Sequence, residues 1–142
     1  MVWFATIFSD WPISALAGGP KDGRDPWLAP ATSDRTEGGA SLQTLLTGHR
    51  LAYNAVDSLS GYMALERDLQ AQGSSLDIFR ERLISGGHRN SIRMVAAGEA
   101  DVTAVDAKTW ALALKHEPAA RELTVAGWTA KRKGLPFITA RR

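Results

Sequence analysis

The residues best suited to chemistry lie in three turns. Ser58-Leu59-Ser60-Gly61 places two hydroxyls and a glycine between an apolar run and a segment of helical spacing. At such a junction free backbone N–H groups and the positive end of a helix dipole favour an anion, and glycine allows a close backbone approach. A plain serine N-cap would use the same residues. Ser85-Gly86-Gly87-His88 is a second glycine-rich turn, whose histidine could donate to a bound oxyanion or simply pack at a helix start. Asp106, between a short apolar run and a helical segment, is a third candidate, with helix capping as its alternative role. Ser60, His88 and Asp106 are also the residue types of a hydrolytic triad, but the chain has no G-x-S-x-G motif. His49, His88 and His116 are spaced unlike metal ligands, so neither a metal nor another cofactor is expected.

These turns need elements to hold them. Arg50-Leu51-Ala52-Tyr53-Asn54 reads as a strand, and Tyr62, Leu65 and Leu69 recur at helical spacing. Leu76, Phe79 and Leu83 predict a second helix, and Ile92, Val95 and Ala96 a third that stops near Gly98. Residues 101–105 predict a buried strand, followed by a helix carrying Trp110, Ala113 and Leu114 and by a strand over residues 123–128. This alternation predicts an α/β fold, a mostly parallel sheet with helices on both faces, over residues 41–130. In such a sheet ligands sit at the carboxyl ends of the strands, so the three turns are expected to converge on one crevice. Residues 1–40, broken by Gly18-Gly19-Pro20, Asp25-Pro26 and Gly38-Gly39, predict an irregular or partly disordered arm.

Composition sets outer bounds. The 142 residues, 44% hydrophobic with five tryptophans, suffice for one domain with a core. Seventeen basic against 15 acidic residues give a formal charge of +2, which does not imply a nucleic-acid partner. Lys131, Arg132, Lys133, Arg141 and Arg142 are read as a solvated basic tail. The absence of cysteine excludes disulfides and thiolate chemistry and leaves the compartment open. The apolar start, Met1 to Phe8, lacks a basic lead and is cut short by Asp10 and Pro12, so no secretory signal is expected; no apolar run approaches a membrane span.

Taken together, Leu51-Ala52-Tyr53-Asn54 with Asp57-Ser58-Leu59-Ser60-Gly61-Tyr62, Ser85-Gly86-Gly87-His88 with Ser91-Ile92, Ala97-Gly98-Glu99-Ala100-Asp101-Val102 with Asp106 and Thr109-Trp110, and Gly134-Leu135-Pro136-Phe137-Ile138-Thr139 resemble the phosphate/phosphite/phosphonate substrate-binding proteins of ABC transporters. The resemblance implies a type II periplasmic-binding-protein fold, of which this chain matches the second lobe, with residues 131–142 forming a crossing strand and the basic tail. It implies a small oxyanion ligand (phosphate, phosphite or phosphonate), held by Ser58, Ser60, Gly61 and Tyr62 with His88 and Asp106. A permease partner and a periplasmic location also follow from the resemblance. Arg89 stands after His88 where some phosphonate binders carry an acid for a ligand amine, which argues against an aminophosphonate. The same fold also serves cytosolic anion sensors and regulator effector lobes, and a serine/histidine hydrolase is the rival from another class.

Overall fold

The computed structural model describes residues 26–30, 43 and 46–130. Strand β1 (Pro26–Pro30) is followed by β2 (Arg50–Tyr53), a π turn (Leu59–Met63) running into helix α1 (Ala64–Gln70), and a 3-10 turn (Leu76–Ile78). Then come β3 (Glu81–Ile84), α2 (His88–Ala96), β4 (Val102–Ala104), α3 (Ala107–His116), a second 3-10 turn (Pro118–Glu122) and β5 (Leu123–Trp128). One five-stranded sheet has the order β3-β2-β4-β1-β5.

The sheet is mixed. β2 pairs in parallel with both β3 and β4, whereas β1 is antiparallel to β4 and to β5. Four strands therefore share one direction, as the alternating pattern predicts, and β1 runs against them. Because β2, β3 and β4 are adjacent and co-directional, their carboxyl ends open on the same edge of the sheet.

Strand alternation places a core on each face. Leu51 and Tyr53 of β2, with Val102 and Ala104 of β4, pack with Leu65 and Leu69 of α1. Ala52 of β2 faces the other way, with Leu28 of β1, Ile92 and Val95 of α2, and Trp110 and Ala113 of α3. Each fully buried leucine contributes about 1.5–3 kcal/mol relative to exposure, so both helical layers are held chiefly by apolar burial. At the amino ends of β2 and β4, Arg50 and Asp101 lock the strands together. Arg50 donates from its backbone N–H (2.8 Å) and Nε (3.1 Å) to Asp101 Oδ2, and from Nη2 to Oδ1 (2.7 Å).

Two expectations are corrected. Leu76, Phe79 and Leu83 do not form one helix: Ser75 caps a single 3-10 turn by accepting from Asp77 N–H, and the chain then extends into β3. The helical spacing is produced by a one-turn segment followed by an edge strand. Within residues 1–40, expected to be irregular, Pro26–Pro30 instead form β1, with Leu28 fully buried. Prolines at both strand ends sacrifice no interior ladder donor, and the Pro26 carbonyl accepts from Val105 N–H at 3.2 Å. Residues 1–25, 31–42 and 131–142, and with them most of the arm, the crossing strand and the basic tail, lie outside the described residues.

Candidate anion-binding site

Each turn is built by local rules. Ser58, in extended conformation, caps the helix that begins at Leu59: its Oγ accepts from Gly61 N–H at 3.1 Å. The Ser58 carbonyl accepts from both Tyr62 N–H (3.2 Å) and Met63 N–H (3.0 Å), which gives the first turn its wider π form. As at any helix start, the leading N–H groups, here of Leu59 and Ser60, have no carbonyl within the helix. Gly61 cannot be replaced freely, because a Cβ there would lie 2.0 Å from Asn54 Oδ1 and 3.0 Å from Ser58 Oγ.

The second turn is tied to the end of β2. Ser85 N–H donates to the Tyr53 carbonyl at 2.8 Å, and the Ser85 and Ser91 hydroxyls meet at 2.6 Å. This fixes the start of α2, and with it His88. At the third turn Asp106 caps α3, accepting from Thr109 N–H at Oδ1 (2.7 Å) and from the Thr109 hydroxyl at Oδ2 (2.5 Å).

The three turns meet. Ser60 Oγ lies 3.2 Å from His88 Nε2, and the same nitrogen is 3.5 Å from Asp106 Oδ2. The His88 side chain is 18% exposed, and burial pushes its pKa below the ordinary 6.5 while the attraction of Asp106 partly opposes the shift. Nε2 is the ring nitrogen that faces both the Ser60 hydroxyl and the Asp106 carboxylate; Nδ1 is buried with no hydrogen-bond partner. A serine-hydrolase relay needs the acid on one ring nitrogen and the serine on the other. Here both converge on Nε2, so the cluster is not such a relay.

Of the residues singled out in the sequence, Ser60, His88 and Asp106 come together, with Ser58 and Gly61 in the adjoining turn. Tyr62 is placed differently: it packs on the α1-side core, its ring tilted against Tyr53 with centroids 4.9 Å apart. Sequence reasoning passed over Asn54, whose Oδ1 is buried, unpartnered and set against Gly61. It also missed Thr109, which fixes both Asp106 oxygens. Both follow strand or cap residues by a few positions, which is the signal that could have found them. Glu117 was missed too. Nearly buried, it accepts from Arg89 Nε and from Arg93 Nε (3.1 Å), so Arg89 turns away from the crevice. Those guanidiniums hold the Glu117 carboxyl below its ordinary pKa, the Arg89 hydrogen bond most of all.

Among the described residues no group of three or more His, Cys, Asp or Glu could hold a metal ion, and no helix is long and apolar enough to cross a membrane.

Comparison with known proteins decides the family. A family model described as ABC transporter, phosphonate, periplasmic substrate-binding protein matches residues 17–142. The chain belongs to this family. The family is one of solute-binding proteins of transport systems, not of enzymes. Among solved structures, a Prochlorococcus marinus protein in complex with methylphosphonate superposes with a TM-score of 0.67 at 16% identity, over 97% of this chain and 46% of that one. A binding-protein component of a phosphonate ABC transporter from Pseudomonas aeruginosa gives 0.67 at 19% identity, over 95% and 42%. A chloride-bound protein from Xanthomonas citri gives 0.60 at 22%, over 75% and 41%. At these identities the likeness establishes the fold, and the chain spans less than half the length of each of the three. No curated protein matches the sequence.

Proposed function

We propose that the crevice at the carboxyl ends of β2, β3 and β4 binds a phosphonate- or phosphate-like oxyanion, and that the chain acts as a solute-binding component delivering it to an ABC permease in the periplasm. The observation that carries this reading is the convergence of Ser60, His88 and Asp106 beside a capped helix start. Three turns, with Ser60 28 residues before His88 and Asp106 18 after it, meet at 3.2 and 3.5 Å. Ser58 Oγ accepts from Gly61 N–H, so its hydroxyl proton is free to donate outward, and the Ser60 hydroxyl, 3.2 Å from His88 Nε2, is free to donate as well when that nitrogen holds the proton. With the Leu59 and Ser60 N–H groups and the helix dipole, these donors suit an anion's oxygens. Gly61 belongs to the same site as the residue that lets the turn seat against Asn54.

The test is Ser60→Ala. The helix keeps its cap, because the capping residue is Ser58, so the variant should fold normally. Losing one hydrogen bond to a charged ligand, worth about 1.5–3 kcal/mol, should weaken methylphosphonate binding roughly 10–100-fold. Isothermal titration, with amide shifts followed by NMR, reads both quantities. Unchanged affinity, or shifts centred away from residues 58–62, would refute the site.

A further inference from the structure

We infer that Glu117 is a positioning residue for the anion site: from the C-terminus of α3 it grips α2 through Arg89 and Arg93, and thereby fixes where His88 stands between Ser60 and Asp106. The inference rests on the anion-binding reading of the crevice and adds to it the residue that holds one wall in place.

His88 is the first residue of α2, and no cap of its own fixes the start of that helix. The N-cap is Gly87, which offers no side chain to the leading N–H groups. The helix must therefore be set by contacts along its flanks. Ile92 and Val95 pack in the core, but apolar contacts are not directional. Directional restraint comes from two polar ties. Ser91, fully buried, meets the Ser85 hydroxyl at 2.6 Å and holds the helix to the turn before it. Glu117 supplies the second tie, to α3.

The Glu117 side chain is only 6% exposed, although it is a carboxylate. Its Oε2 accepts from Arg89 Nε and from Arg93 Nε (3.1 Å), with Arg93 Nη2 at 3.0 Å, and its Oε1 accepts from Ala119 N–H at 3.4 Å, capping the second 3-10 turn. Arg89 and Arg93 stand one helical turn apart, so a single oxygen grips two successive turns of α2. That restrains both rotation about the helix axis and sliding along it. Ala120, fully buried in the same 3-10 turn, packs in one cluster with Ile92 and Val95, which backs the grip with core. The guanidiniums are more than half exposed and could be solvated, whereas a nearly buried carboxylate is costly unless paired. Any shift at Arg89 passes to its neighbour His88. The Nε2 distances of 3.2 Å to Ser60 and 3.5 Å to Asp106 leave no slack, so a displacement of about 1 Å breaks both contacts.

The experiment uses Glu117→Gln, which keeps the shape and an acceptor for Ala119 N–H, and Arg89→Met, which leaves Glu117 paired with Arg93. His88 ring shifts are followed by NMR against pH without ligand. Methylphosphonate affinity is measured by calorimetry for each variant, alone and combined with His88→Ala. In the unaltered protein burial holds the His88 pKa below 6.5. The direct charge effects of the two variants are opposite, since losing a carboxylate lowers a histidine pKa and losing a guanidinium raises it. A rise towards 6.5 in both therefore reports the ring moving into water. Affinity should fall about tenfold in each variant, and the loss should vanish in the His88→Ala background, because both act through that ring. Should Glu117→Gln not fold, the affinity cycle on Arg89→Met decides alone. A His88 pKa that does not rise in Glu117→Gln, or an affinity loss that persists undiminished without His88, overturns the inference. Failure of the unaltered protein to bind methylphosphonate overturns the anion-binding reading instead, and leaves the His88 titration to decide the positioning role.

Discussion

Gly61→Ala is the sharpest perturbation available, because it changes one methyl group at the point where β2's exit and α1's entrance touch. The new Cβ would stand 2.0 Å from Asn54 Oδ1, against an ordinary contact of 3.4–4 Å, and 3.0 Å from Ser58 Oγ. Backbone strain is not the issue, since Gly61 is absent from the residues with positive φ among those described. The cost is overpacking, typically about 1–3 kcal/mol, which should lower Tm by roughly 3–5 °C per kcal/mol in a chain of this size. Asn54 must swing aside and the Ser58 cap must loosen. The donors facing the anion are thereby displaced, and methylphosphonate affinity should fall about tenfold, equivalent to about 1.4 kcal/mol. Urea denaturation and calorimetry of the single variants and of Gly61→Ala/Asn54→Ala form a double-mutant cycle. Truncating Asn54 removes the clashing oxygen, so it should restore most of the stability lost by Gly61→Ala. A coupling below about 0.5 kcal/mol, or Gly61→Ala indistinguishable from the unaltered protein, would refute the close-approach argument.

Two further outcomes are expected elsewhere in the sheet. Asp101 is held at a pKa of about 2, against an ordinary 3.8, chiefly by its hydrogen bond from Arg50. A depressed carboxyl stabilises the fold above pH 3.8, and that stabilisation is lost as pH falls towards 2. With both side chains a quarter or more accessible, solvent screening leaves about 1 kcal/mol of it. Asp101→Asn should therefore lower stability by that amount at pH 7, with the two unfolding curves converging near pH 2; a gap that persists in acid would show the ion pair is not its source. Thr103, fully buried in β4, has a hydroxyl with no partner. Thr103→Val, nearly isosteric and β-branched, should raise stability by about 1 kcal/mol, and a loss of stability in thermal unfolding would reveal a bond the hydroxyl makes.

Much of this fold is legible in the chain because local and global signals agree. β2, α1, α2, β4, α3 and β5 follow their expected periods, and Gly98, at φ 73°, ends α2 where its position suggests. The two elements misread lack such agreement. β3 lies at the sheet edge with three of its four residues exposed, so Glu81-Arg82-Leu83-Ile84 shows no inward and outward alternation to read. β1 is specified by partners far along the chain: Leu28 sits opposite Thr103 in β4 and Val125 in β5. No window around Pro26–Pro30 contains those partners.

The candidate site was legible as three separate turns, each with a capping role that seemed sufficient to explain it. The geometry shows that capping and gathering are not rivals. Asp106 caps α3 through Thr109 and with the same carboxylate meets His88; Ser58 caps the π turn and in doing so fixes Ser60 two residues on. A cap residue stands at the start of a helix, and a helix that follows a parallel strand starts at that strand's carboxyl end. Because β2, β3 and β4 are adjacent and co-directional, the side-chain caps Ser58 and Asp106 and the glycine start of α2, which carries His88, are delivered to one edge. The Arg50–Asp101 lock, at the opposite ends of β2 and β4, keeps those two strands in register. What the sequence could not supply is the ring nitrogen on which Ser60 and Asp106 converge. That detail separates a relay from a donor beside a carboxylate, and it depends on how α2 and α3 pack, through contacts such as Glu117 with Arg89 and Arg93, 28 and 24 residues apart in the chain.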